Sequence, residues 1–149
     1  MNSDDRFMRL ALELAAGAGA VGEVPVGAVV VRAGEVIGRG ANARESTKDP
    51  TAHAELVALR QASRVLGSWR LDDATLYVTL EPCPMCAGAL VMARLRRLVF
   101  GASDPKAGSC GSLYNLCSDP RLNHEVDVVR GLRAQEASDL MSDWFSSRR

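Results

Sequence analysis

The chain has 149 residues, 47% of them hydrophobic and 24% charged, and its 18 Lys and Arg are balanced by 18 Asp and Glu. It is long enough for one domain, residues 1–149, with a real core, and it contains no apolar run that would cross a bilayer. Zero net charge excludes attraction of nucleic acid by the domain as a whole, although a local basic patch would still serve a partner of defined shape.

The acidic start, Met1-Asn2-Ser3-Asp4-Asp5-Arg6, lacks the basic and apolar segments of a secretory signal, so a cytoplasmic location is expected. Ser3 is placed to cap a first helix carrying Phe7, Met8, Leu10, Ala11, Leu14, Ala15 and Ala18 at helical spacing, with an end among residues 19–22. Residues 26–31 form a continuous run rich in β-branched side chains, and Arg32-Ala33-Gly34-Glu35 connects them to residues 36–40 as a β-hairpin. The polar residues 41–50, ending in Pro50, read as a loop delivered by the second strand. Thr51 is placed to cap a helix over residues 52–66, with Leu56, Leu59, Ala62 and Val65 or Leu66 on its apolar stripe and Gly67 as its stop.

Residues 74–79 predict a strand leading into a helix that begins near Pro84, and residues 97–100 a strand leading into a Gly-rich loop. Strand, helix, strand order predicts parallel pairing on the C-terminal side of the sheet, and the hairpin makes that sheet mixed. A short strand over residues 125–129 and a closing helix over residues 134–145 complete the chain.

The chemistry-bearing residues gather at two of these helix starts. With Pro84 in the first turn, Cys83 and Cys86 stand three apart on one face, at the end of a helix where thiolates are favoured. His53 supplies a third nitrogen or sulfur ligand. Three such ligands leave a tetrahedral zinc one open position, the catalytic pattern, whereas a closed structural site would need His124, Cys110 or Cys117 as a fourth. His53 and Glu55 do not share a helix face, but both serve one site if they lie in the first turn. Zinc would then bring its water's pKa towards neutrality, and Glu55 would shuttle the proton in a hydrolytic attack. Taken alone, Cys-x-x-Cys is equally a structural knuckle or a redox pair. Combined with His-x-Glu, it makes the zinc-deaminase pattern. Cys110 and Cys117 read as small buried hydrophobes.

Across nearly its whole length the chain resembles the bacterial tRNA-specific adenosine deaminases. The resemblance is carried by Gly22-Glu23-Val24-Pro25-Val26-Gly27-Ala28, Thr51-Ala52-His53-Ala54-Glu55, Gly67-Ser68-Trp69-Arg70-Leu71, Glu81-Pro82-Cys83-Pro84-Met85-Cys86, Gly101-Ala102-Ser103-Asp104-Pro105-Lys106-Ala107-Gly108 and Leu122-Asn123-His124. It implies a three-layer α/β/α, cytidine-deaminase-like fold with a mixed sheet of about five strands. It also implies a homodimer with one Zn2+ per subunit, converting the wobble adenosine of a tRNA anticodon to inosine, with an arginine tRNA carrying an ACG anticodon as substrate. By matching position, His53, Cys83 and Cys86 hold the zinc and Glu55 is the catalytic proton shuttle.

The substrate-binding residues implied are Asn42, Ala54, Lys106, Asn123, Phe145 and Arg149. Asn42 otherwise reads as a turn asparagine satisfying its own loop. Lys106 sits where an ammonium would meet phosphate, and Asn123 with His124 would line the pocket. Phe145, Arg148 and Arg149 are either an aromatic and basic lip for RNA or a packed Phe with a solvated tail. Arg94, Arg96 and Arg97 face either RNA or a dimer partner. Two rival readings are a deaminase of free guanine, cytosine or nucleoside, and a zinc-stabilised binding module without chemistry.

Overall fold

The computed structural model describes residues 3–148. The apolar run that begins the hairpin becomes β1 (Gly27–Arg32), buried along all but its last residue, and a strand so apolar on both faces belongs inside a sheet. It lies there, between β2 (Glu35–Ala41) and β3 (Ala74–Leu80), antiparallel to both. The remaining strands, β4 (Arg97–Ala102) and β5 (Asp127–Arg130), continue the sheet in parallel, giving the order β2-β1-β3-β4-β5. The mixed five-stranded sheet and the place of its parallel half agree with the sequence reading.

Side chains alternating along β1 build two cores. Ala28 and Val30 face the helices α3 (Ala54–Leu66) and α4 (Pro84–Met92), packing with Ala54, Ala58, Leu90 and Phe100. Val29 and Val31 face α1 (Ser3–Ala20) and α5 (Ala134–Ser146), packing with Phe7, Met8, Ala11 and Ala137. The result is the expected three-layer α/β/α sandwich. Across its second core, Asp4 of α1 accepts hydrogen bonds from Arg97 (2.6 and 2.9 Å) and Tyr77 (2.5 Å), tying the helix to β3 and β4. Arg97 is therefore spent inside the subunit. Among the described residues, no helix is long and apolar enough to cross a membrane.

Four local readings are corrected. Ser3 lies within α1, and the cap position before it falls outside the described residues. A short helix, α2 (Arg44–Thr47), interrupts the expected loop. The third helix starts at Ala54 rather than residue 52, and Thr51 does not cap it, because the Thr51 hydroxyl donates to Asp49 (2.7 Å). Ala54 and Ala58, outside the expected stripe, join Leu59 and Ala62 in its buried face, while Leu56 and Leu66 are half-buried against the core and Val65 is 62% exposed. The physical reason is β2: a Cβ at Gly40 would stand 2.1 Å from the Ala54 carbonyl, and one at Gly38 would stand 2.3 Å from that of Ala58. Glycine lets the helix backbone lie directly on the strand, which only small residues on the facing side permit. Gly67 ends the helix in a left-handed conformation (φ 66°), as its position predicts.

Candidate metal centre and active site

Two helix N-termini converge at the carboxyl ends of β3 and β4, where crevices in open α/β sheets characteristically form. His53 is the N-cap of α3 and Cys83 the N-cap of α4, with Pro84 in the first turn. Each of the Cys83 and Cys86 sulfur atoms lies 3.6 Å from His53 Nδ1, and the three ligand atoms fall within 4.8 Å of one another. A tetrahedral zinc with bonds of about 2.0 Å to nitrogen and 2.3 Å to sulfur separates such donors by about 3.6 Å, so the set fits that ion. No fourth side chain joins it among the described residues. His124 Nε2 pairs with the Leu95 carbonyl at 2.6 Å, and Cys110 and Cys117 contact each other.

Local electrostatics favour a cation at these donors. Hydrogen bonding from Cys86 and then from His53 brings the Cys83 thiol down to about 4, despite its burial. The same contact with Cys83 pushes the Cys86 thiol up, and hydrogen bonding to Cys83 raises the His53 imidazole. The protein's own groups thus hold a thiolate beside protonated neighbours, and a divalent ion would displace those protons.

The cluster opens on a cavity of about 200 Å³. Val24, Val26 and Leu80 form its apolar wall, while Asn42, Arg44, Glu55 and Asp104 supply polar groups. Glu55, in the first turn of α3, is 4% exposed. Burial is the main cause of its raised pKa, which stands at about 7 against the influence of its own backbone N–H and of His53. A carboxyl group poised near neutrality both takes and returns a proton. Asn42 Oδ1 accepts the Ala54 N–H at 2.9 Å, acting as a cap delivered from another element. That bond fixes the amide orientation and leaves Nδ2 as a donor; it also occupies the buried Ala54 N–H.

Two further glutamates shape the cavity, and sequence reasoning gave neither a role. Glu81 is 1% exposed, and its carboxylate accepts the N–H groups of Asp104 (3.0 Å), Cys110 (3.1 Å) and Ser112 (3.0 Å), and the Ser112 hydroxyl. Burial pushes Glu81 up, but these donors outweigh it and hold the group below its ordinary value. Glu23, 3% exposed, accepts the N–H groups of Glu45 (3.1 Å) and Ser46 (2.7 Å) and so fixes the start of α2. Both residues stood within the quoted motifs; the available signal was a carboxylate placed between apolar neighbours.

The outer residues divide. Lys106 is exposed on the loop after β4, whose Asp104 and Ala107 reach the cavity. Phe145 is 48% exposed and packs edge-on against Trp144, with ring centroids 4.9 Å apart, while Arg148 covers the Trp144 ring at 4.0 Å. Trp144 adjoins Gly19 and Pro25, so this helix end borders the segment that carries Val24 to the cavity. Arg149 lies outside the described residues. Asn123 and His124 are not brought to the cavity: β5 runs parallel to β4, so the segment entering β5 lies at the amino end of β4, with His124 on Leu95. Arg94 lines a separate open groove between α3 and α4, beside the exposed side chains of Trp69 and Met92.

A family model of MafB19-like deaminases matches residues 2–149. The tRNA-specific adenosine deaminase of Bacillus subtilis (strain 168) is 48% identical over 149 residues, covering 100% of this chain and 92% of its own length. Its counterpart from Haemophilus influenzae is 50% identical over 147 residues, covering 98% and 85%. A solved structure from biochemical and structural studies of A-to-I editing by tRNA:A34 deaminases at the wobble position matches with a TM-score of 0.88 at 48% identity, over 91% of this chain and 98% of that one.

Proposed function

The chain belongs to the MafB19-like deaminase family and, within it, to the tRNA-specific adenosine deaminases, and on that premise we propose that it hydrolyses adenosine to inosine at the wobble position of a tRNA anticodon. The observation that carries the chemistry is the placing of three metal-ligand atoms within 4.8 Å at the mouth of a cavity that also holds the buried Glu55.

His53 Nδ1 and the sulfurs of Cys83 and Cys86 would hold one zinc ion per subunit. Bound there, zinc would supply Lewis acidity that brings the ionisation of water into the neutral range. Glu55 takes one proton of the attacking water at its carboxylate and delivers it to the purine ring nitrogen, then carries the proton of the hydroxyl group added to the ring carbon to the amine, which leaves as ammonia as the carbonyl forms. Its raised pKa, about 7, suits both directions of transfer. Asn42 Nδ2, left free by the bond from Ala54 to Oδ1, donates to an acceptor on the base edge. The apolar wall excludes water from the base. An anticodon loop presents unstacked bases, so the cavity needs no duplex opening to receive one.

Lys106 and the Phe145 end of α5 are assigned to the RNA around the target, together with Arg149 as an outer contact; Asn123, at the other end of the strands, is left out of that surface. An arginine tRNA with an ACG anticodon is the proposed substrate, in the cytoplasm. A homodimer is proposed as the working form, the groove carrying Trp69 and Met92 being the surface a second copy would cover. The whole of residues 1–149 is taken as one zinc-dependent deaminase domain.

The test is inosine formation in an anticodon stem-loop carrying a wobble adenosine, with free adenosine, cytidine and guanine assayed alongside. Conversion of the RNA with little turnover of the free compounds is expected. Saturable turnover of a free base instead would overturn the RNA assignment, and no turnover of any substrate by the zinc-loaded protein would overturn the enzyme.

A further inference from the structure

Cys110 and Cys117 are both fully buried, and their sulfur atoms are 3.1 Å apart. They close the base of a loop whose tip, carrying Leu113 and Tyr114, is exposed. Backbone bonds fix both ends: the Cys110 N–H donates to Glu81 (3.1 Å), Arg130 donates to the Cys110 carbonyl (3.1 Å), and Val126 donates to that of Cys117 (2.8 Å). Neither thiol belongs to the metal-ligand cluster. Two thiols already in contact on anchored backbones are pre-organised to bond, since the disulfide length of about 2.05 Å requires the sulfurs to close by only about 1 Å.

We propose that Cys110 and Cys117 are a dithiol that a peroxide or a small disulfide converts reversibly to a disulfide, locking the loop beside the active site. In a reducing compartment such a bond is a transient, redox-responsive one rather than a structural staple. With peroxide, the Cys117 sulfur attacks one peroxide oxygen, forming an S–O bond while the O–O bond breaks and water leaves. The Cys110 sulfur then attacks the sulfenic sulfur, its proton departing with the second water as the S–S bond forms. Two thiols lose two electrons and the peroxide gains them. Cys117 is taken as the attacking sulfur because the contact between the two thiols lowers Cys117 and raises Cys110. Access requires opening of the exposed loop tip, a local event of lower free energy than unfolding.

The experiment treats the reduced, zinc-loaded wild-type protein with hydrogen peroxide, followed by intact mass and peptide mapping. The expected product is lighter by two hydrogens, carries a Cys110–Cys117 link, keeps its zinc and is restored by dithiothreitol. Exchange of the Leu116 amide, which donates to Ser109 across the loop base, should slow by about tenfold once the link constrains opening. In a Cys110→Ser variant, Cys117 should accumulate a sulfenic acid that a dimedone probe captures. Oxidation of Cys83 or Cys86 while Cys110 and Cys117 stay free would overturn the proposal, as would sulfinic acid at either position without a link, or unchanged exchange at Leu116 in the linked protein.

Discussion

Glu55 and Glu81 border the same cavity and are almost equally buried, yet the protein holds them in opposite states. Glu55 has burial as its leading influence and rises to about 7. Glu81 is pushed the same way by burial but meets three backbone N–H groups and a hydroxyl, and is held below its ordinary value. Shielding from solvent alone does not make a carboxyl group a proton carrier; it does so where the compensating groups are too few to offset burial. The first group is free to exchange protons, and the second is a fixed anion that organises the loop after β4. Pairs of carboxyl groups driven apart in this way mark the division of labour in acid–base sites.

The largest expected effect comes from breaking the comparison on the Glu55 side. Glu55→Gln should lower kcat by about 10³-fold, within the usual range for loss of a general acid–base group, while metal analysis finds zinc retained. Stability should move the other way. Because the folded pKa of about 7 lies above the ordinary 4.5, the contribution of Glu55 to the zinc-free protein is complete below that lower value. It is lost as pH rises through 7. The Gln variant should therefore gain thermal stability relative to the parent across that window.

Next comes Asn42→Asp, which keeps an oxygen for the Ala54 N–H but removes the Nδ2 donor. A loss of about 10- to 100-fold in kcat/KM, the worth of one directed hydrogen bond, with Tm preserved, would separate substrate contact from helix capping. Equal loss of Tm would assign the residue to capping alone.

Glu81→Gln tests the other side of the comparison, because an amide NH2 then faces backbone donors. Destabilisation of about 2 kcal/mol is expected in denaturant unfolding, with a roughly tenfold fall in kcat/KM from the loosened loop. The smallest effect is that of Asp4→Asn, which removes a carboxylate held down by an ion pair rather than by backbone amides. Hydrogen bonding from Arg97 brings Asp4 from 3.8 to about 2, so its contribution is present above 3.8 and lost as pH falls through 2. Allowing for solvent screening of this partly exposed pair, ~1 kcal/mol should separate variant from parent at neutral pH, with no change in kcat.

What the sequence made legible was local. The β-branched run, the hairpin glycine, the stop at Gly67 and the spacing of Cys83 to Cys86 announce themselves within a few residues. What it concealed depends on partners far along the chain. The start of α3 is set by Asn42, twelve positions away. The helix α2 exists where Glu23 receives its N–H groups, and Glu81 gains its role from donors between 23 and 31 positions later. His124 looked like a pocket residue from its motif, but the parallel pairing of β5 carries it to the other end of the strands.

The most direct measurement is a carboxyl ¹³C NMR titration of the glutamates in the zinc-free protein, with the two resonances assigned by their loss in Glu55→Gln and Glu81→Gln. The account predicts a midpoint near 7 for Glu55 and one below 4.5 for Glu81. Two midpoints together in the ordinary carboxyl range, or in the reverse order, would contradict it.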